Sequence, residues 1–212
     1  MLTRIGIGTL ALADPDTFDV SNINRQCAAT YRTIGQGKVD ALSDHLLTIN
    51  PDLNIIRYQQ GVNETNADEF VAESDYVIDA IDYFNLPEAI SVHRAARRRN
   101  LFVITAAALG FGTTVLAFSP QGMTIEEYFG IPKDISIQDL RGQMLSPSGY
   151  SSQFPAYVTP EKVTEWLEQK TIPTISVGQA LGPGILVSQL ILHLLHRKEP
   201  VFVPDSIRLQ FE

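Results

Sequence analysis

The stretch IGIGTLALADPDTFDVSNINRQ, residues 5–26, decides the fold. Ile5 to Ala13 is an almost unbroken apolar run, as expected of a parallel strand covered on both faces. An acid, Asp14, stands at its carboxyl end, and Asp14-Pro15-Asp16 turns the chain. Ser21 to Cys27 is polar, with Ser21 or Asn22 as the expected helix cap.

Working outward, Lys38 to Ile49 predicts an amphipathic helix, with Val39, Leu42, Leu46 and Ile49 on one face and Asn50-Pro51 as its stop. Leu53 to Gln60 alternates as a strand, and Asn66 to Glu73 is a short helix. Asp75 to Ile81 is another buried strand followed by an acid, Asp82, and Leu86 to Arg99 is a helix. Leu101 to Ala106 and Phe111 to Phe118 are strands joined by a glycine turn. This order predicts an α/β fold, doubly wound and Rossmann-like, with right-handed crossovers. The sheet is expected to be mostly parallel, with antiparallel strands on the C-terminal side. Ligands of such sheets bind beyond the carboxyl ends of the strands, where Asp14 and Asp82 lie. One domain is expected over 1–212, with core sheet and helices over 1–118, a crossing loop over 119–160, and helices and a strand over 161–212. Within it, Pro160 opens a helix through Gln169, Ile175 to Leu195 reads as a buried, interrupted helix, and Ser206 to Phe211 alternates as a strand.

Composition narrows the function. With 212 residues, 44% hydrophobic and 19% charged, the chain is globular. A net charge of −8 excludes a general nucleic-acid binder. The one basic run, Arg94 to Arg99, sits where a helix end suits cations and solvent. A single cysteine, Cys27, permits neither an internal disulfide framework nor a CxxC zinc site, so no zinc is expected and a reducing cytoplasm is the simplest setting. No signal peptide is visible, and no membrane insertion is expected. Gly110 and Gly112 break the apolar run Leu101 to Phe118, and Gly182-Pro183-Gly184 breaks Ile175 to Leu195.

Four polar features fall at strand ends or just beyond. Asp14 with Asp16 suits ribose hydroxyls or serves as a turn cap. Asn22, Arg25 and Gln26 include a planar guanidinium fork suited to phosphate, or form an ordinary polar surface. Gly35-Gln36-Gly37-Lys38 opens a helix, where backbone amides and a lysine favour an anion, although the P-loop spacing is absent. Asp82 is placed to hold Mg²⁺ beside a triphosphate, or to cap the strand end.

Taken together these segments are more specific. The run from Ala13 to Gln26, then Gly35-Gln36-Gly37-Lys38-Val39 and Ile49-Asn50-Pro51, resembles the ThiF/MoeB/HesA family, with its DxDxVxxSNLxRQ segment, GxxK helix start and following NP. Asp79-Ala80-Ile81-Asp82 is similar to the family's later strand-end acid motif, and Ala106 to Gly112 to its glycine-containing turn. The clear likeness covers about residues 5 to 118. Thr124 to Gly130 and the helix from Ile175 resemble a bacterial subgroup of stand-alone members.

The resemblance implies an ATP-dependent adenylyltransferase of the ubiquitin-activating superfamily. Such an enzyme uses Mg²⁺ and activates a carboxylate, the C-terminus of a ubiquitin-like or sulfur-carrier protein or of a peptide. It implies that Asp14 binds ribose, with Asp16 beside it. Asn22, Arg25 and Lys38 contact phosphates, with Gln26 nearby, and Asp82 holds the metal. Arg25, Lys38 and Asp82 then carry the chemistry. A homodimer or heterodimer is expected.

The sequence also departs from the family. Its members open with a strand and a GxGGxG-type loop, whereas Met1 falls where the helix after that loop ends. The first strand and the Gly-rich loop are therefore expected to be missing, leaving exposed edges. The family's thioester cysteine in the crossing loop has no counterpart, and Cys27 is expected to be a packed thiol. Tyr83 and Pro87 stand where relatives usually have Asn and Arg. Two other identities compete: an inactive subunit that pairs with an active homologue, and an NAD-binding dehydrogenase domain. The latter accounts for a ribose acid but not for the Asn22, Arg25, Gln26 and Lys38 set.

Overall fold

The computed structural model describes residues 1–141 and 158–211. Leu2–Ile5 form a 3-10 turn closed by Gly6 at φ 89°, so the first strand is shorter than the apolar run suggests and covers Thr9–Ala13 (β1). There follow α1 (Lys38–Ile49), β2 (Asn54–Tyr58), α2 (Ala67–Phe70), β3 (Val77–Asp79) and α3 (Leu86–Arg98). The second half contributes β4 (Val103–Leu109), β5 (Gly112–Phe118), α4 (Ile125–Phe129), α5 (Ile137–Leu140), α6 (Pro160–Glu168), α7 (Ser176–Leu194) and β6 (Ile207–Leu209). Of the expected crossing loop over 119–160, residues 142–157 lie outside the described residues; the described part holds α4 and α5.

The fold is α/β with both parallel and antiparallel pairs. Among the described residues the strands form two sheets, β1 parallel to β2, and β3-β4-β5-β6 with β3 parallel to β4 and the rest antiparallel. β1 and β3 each have one paired edge among the described residues. The two sheets meet through side chains: Ala13 at the end of β1 and Ile81 just past β3 pack against one cluster that includes Val62, Val77, Val92 and Val103.

β5 shows how the period of two sorts side chains between layers. Leu116 and Phe118 face Leu86 and Ile90 of α3. Val115 and Ala117 face Leu186 and Leu190 of α7. All seven β5 residues are buried, which explains the absence of charge along the strand. β4 and β5 join through Gly110, whose φ of 55° is a conformation glycine adopts without steric cost.

The helix expected to break at Gly182-Pro183-Gly184 is continuous, with Pro183 inside it. Proline removes one helical hydrogen bond, but contact with β4 and β5 holds the helix. Gly178 and Gly182 permit that close approach: a methyl on Gly178 would lie 2.6 Å from the Gly110 carbonyl oxygen. α7 is also less buried than expected, with Val177 and Leu192 exposed. By length and composition it is long and apolar enough to cross a membrane.

The arginines of α3 are structural ties more than a solvated end. Arg94 pairs with buried Glu126 at 2.9 Å and donates to the carbonyl of Ile135. Arg97 donates to the carbonyls of Ser119 and Gly122, and Arg98 pairs with Asp68.

Candidate active site

The polar segments after β1 and before α1, well separated in sequence, are zipped together by the backbone. Lys38 N–H donates to the Asp16 carbonyl and Phe18 N–H to that of Gln36, while Gly35 N–H returns to Phe18. Phe18 is buried with Ala28, Ala29 and Ala41, which fixes this loop against α1. That packing turns Cys27 outward, since Ala28 and Ala29 take the inward positions. The packed thiol expected there is therefore an exposed one.

At the carboxyl end of β1 the Asp14 carboxylate accepts the Asp16 N–H at 2.9 Å, an Asx turn around Pro15. Lys38, the first residue of α1, reaches back to both acids: its Nζ lies 2.7 Å from Asp16 Oδ2 and 3.5 Å from Asp14 Oδ2. Asp14, Asp16 and Lys38 thus form one ion cluster carrying a net negative charge. The Lys38 side chain is largely buried (15% exposed), whereas Asp16 is open to solvent (66%).

The next segment is a 3-10 turn, Val20–Asn22, rather than a longer helix capped by Ser21 or Asn22. Asp19 is the cap. Its carboxylate accepts the Ser21 N–H, while the Asn22 amide oxygen accepts the Asp19 N–H. The Ser21 backbone N–H holds the Asp19 carboxyl below the usual range. Asn22 is thereby buried, its side chain tied back to the cap's backbone. Half-buried Arg25 donates to the Ser21 carbonyl and the Asn24 amide oxygen, so its guanidinium is held by its own loop. Gln26 lies in the same turn, half-buried, its N–H on the Asn22 carbonyl. Asn24 adds a long-range tie, donating to the Thr174 carbonyl at 3.0 Å, just ahead of α7.

Asp82 follows β3, as Asp14 follows β1. It is exposed, and one of its oxygens accepts the Phe84 N–H at 3.0 Å. Among the described residues no group of three or more His, Cys, Asp or Glu side chains is arranged to hold a metal. A single carboxylate beside phosphate oxygens nevertheless fits Mg²⁺, which retains waters and needs few protein ligands. The structure therefore joins Asp14, Asp16 and Lys38 directly and sets Asn22, Arg25 and Gln26 in the adjoining turn. Asp82 comes from the second sheet, linked to the first through the shared packing of Ala13 and Ile81.

Sequence patterns gave no sign of the Asp79–His93 pair beneath Asp82. His93 Nε2 lies 3.0 Å from Asp79 Oδ2, and both side chains are buried.

Comparison with known proteins gives this arrangement a context. Residues 1–201 match the ThiF family. The chain is 33% identical over 119 residues to the sulfur carrier protein ThiS adenylyltransferase of Escherichia coli (strain K12), covering 56% of this chain and 47% of that protein. It is 34% identical over 129 residues to the tRNA threonylcarbamoyladenosine dehydratase of Haemophilus influenzae, covering 59% and 49%. The chain thus spans about half the length of the curated relatives it matches. Its fold superposes on the crystal structure of E. coli MccB with ATP at a TM-score of 0.67, over 98% of this chain and 55% of that one. At 18% identity that likeness shows the Rossmann-like fold alone. The family match, spanning nearly the whole chain and the loop that carries Asp14, Arg25 and Lys38, makes this chain a member of the ThiF family.

Proposed function

We propose that this domain binds ATP with Mg²⁺ and activates a carboxylate as an acyl-adenylate. The observation that carries the reading is the Asp14–Asp16–Lys38 cluster at the end of β1, with Asp82 following the end of β3 in the sheet that shares its packing. In this reading Asp14, with Asp16 beside it, binds the ribose hydroxyls. A phosphate draws Lys38 away from Asp16, an exposed partner whose attraction water already weakens. Arg25, with Asn22 and Gln26 in its turn, flanks the phosphates. Asp82 would hold Mg²⁺, which would supply charge neutralisation to the triphosphate.

The substrate carboxylate oxygen attacks the α-phosphorus, and the bond to the β-phosphate bridging oxygen breaks. No side chain of the protein serves as nucleophile. Its residues orient the triphosphate and oppose the charge that develops on it, the contribution expected of a preorganised site. The relative named for ThiS supports a sulfur-carrier or ubiquitin-like C-terminus as substrate, and a peptide carboxylate is the other acceptor in this reading. A dimer, of two copies or with a homologue, is part of the same reading.

The test is ATP–pyrophosphate exchange with candidate carrier proteins and peptides. Exchange is expected to require Mg²⁺ and to disappear in Asp82→Ala while the fold is retained. Full activity of Asp82→Ala would show the metal assignment to be wrong. A second reading, an inactive subunit that pairs with an active homologue, draws on the edges of β1 and β3 that stand unpaired among the described residues. It predicts no exchange by the chain alone and exchange on addition of the homologue.

A further inference from the structure

We infer that Asp79 and His93 are positioning residues that hold the loop carrying Asp82. The inference builds on the reading of Asp82 as a metal-facing carboxylate, but its geometry stands apart from it. β3 ends at Asp79, and the chain must leave the sheet within three residues to present Asp82. Asp79 directs that exit with both oxygens. Oδ1 accepts the Ile81 N–H at 2.9 Å, and Oδ2 faces His93 Nε2 at 3.0 Å. The next turn repeats the device, with Asp82 accepting the Phe84 N–H and its carbonyl accepting that of Asn85. Two consecutive Asx turns thus run from a buried carboxylate to an exposed one.

The buried end is fixed in space by His93. Its residue is 6% exposed, Asp79 is 8% exposed, and the imidazole stacks edge-on against Phe118 of β5, ring centroids 5.0 Å apart. A carboxylate removed from water requires partners for both oxygens, and here those partners come from the loop and from α3. The pair therefore pins the β3 exit to α3 and, through Phe118, to β5. A ligand's carboxylate works only when outer partners hold its orientation, and Asp82 itself is exposed and restrained by its own short turn. Asp79 and His93 provide the rigid base beneath that turn without touching substrate.

The test uses His93→Phe, which retains a ring against Phe118 but cannot donate to Asp79, and His93→Gln, which restores a donor. Amide hydrogen exchange is expected to accelerate by about tenfold at Ile81 and Phe84 in His93→Phe, with β5 unchanged and with partial recovery in His93→Gln. In pyrophosphate exchange, half-saturation by Mg²⁺ is expected to rise about 10–100-fold, with KM for the carboxylate partner unchanged. Unchanged exchange at Ile81 and Phe84, or equal acceleration through α3 and β5, would overturn the inference. If His93→Phe does not fold, Asp79→Ala removes both contacts without leaving a buried charge, and the same amides are read. Asp82→Asn run in parallel separates the two ideas. If it leaves the Mg²⁺ dependence unmoved while His93→Phe still loosens Ile81 and Phe84, the metal reading fails and the positioning role stands.

Discussion

Two glycines on one helix should respond to the same substitution with opposite signs. A methyl on Gly178 would lie 2.6 Å from the Gly110 carbonyl oxygen and 2.8 Å from that of Gly112, with Ala108 at 3.3 Å. Both oxygens belong to the backbone of the β4–β5 turn, so neither can swing aside. Alanine gains about 1 kcal/mol over glycine in a helix interior, but forcing extra volume into a filled contact costs about 1–3 kcal/mol, towards the upper end where backbone must move. Gly178→Ala is therefore expected to lose about 1–2 kcal/mol net, lowering Tm by roughly 2–8 °C for a chain of this size. A methyl on Gly184 meets nothing within 4 Å. Gly184→Ala keeps the helical gain and should raise Tm by about 1–4 °C. Thermal unfolding of the two variants beside wild type measures both. If Gly178→Ala is as stable as Gly184→Ala, α7 does not lie against the β4–β5 turn and the packing argument fails.

Other substitutions test the core and the site. Arg94→Ala strands the buried Glu126 carboxylate and should cost about 3–5 kcal/mol in urea unfolding, whereas Arg98→Ala breaks an exposed pair with Asp68 and should cost less than about 1 kcal/mol. Lys38→Met should change stability by less than about 1 kcal/mol yet weaken ATP by about 1.5–3 kcal/mol, the worth of a charge-assisted bond, in a fluorescent-nucleotide titration; undiminished affinity would remove Lys38 from the phosphate site. Burial pushes the Tyr83 hydroxyl up to about 12 from 10.0. The unfolded chain therefore releases this proton first, and stability should fall between pH 10 and 12. Tyr83→Phe should flatten that fall, read as unfolding midpoints across the window.

Much of this was legible in the sequence because the relevant signals are local. The uncharged strand ending at Phe118, the helix face of Val39 and Leu46, and the glycine turn at Gly110 each follow from near-neighbour composition, periodicity or sterics. The loop of Asp14, Asp16 and Lys38 was legible as a set of polar residues beyond strand ends, and the structure draws those three together. Ser21 or Asn22 was read as the cap, but the cap is Asp19, and Asn22 answers it from the third position of the turn. What escaped depends on long-range packing. Gly182-Pro183-Gly184 reads as a break in local terms, yet the sheet beneath holds the helix whole. His93 on α3 has no pattern that pairs it with Asp79, because their meeting is set by how α3 crosses β3. Cys27 faces outward because its two alanine neighbours compete for the same interior.

The carboxylates of the site belong to separate sheets, Asp14 on one and Asp82 on the other. A ladder of backbone hydrogen bonds fixes spacing between strands within tenths of an ångström, but side-chain contact between sheets has no such ruler. Between Asp14 and Asp82 lies the packing of Ala13, Val62, Val77 and Ile81, so the volumes of these side chains bear on the gap between the two acids. In the proposed reading, small core substitutions along this seam become a dial for the fit of the nucleotide.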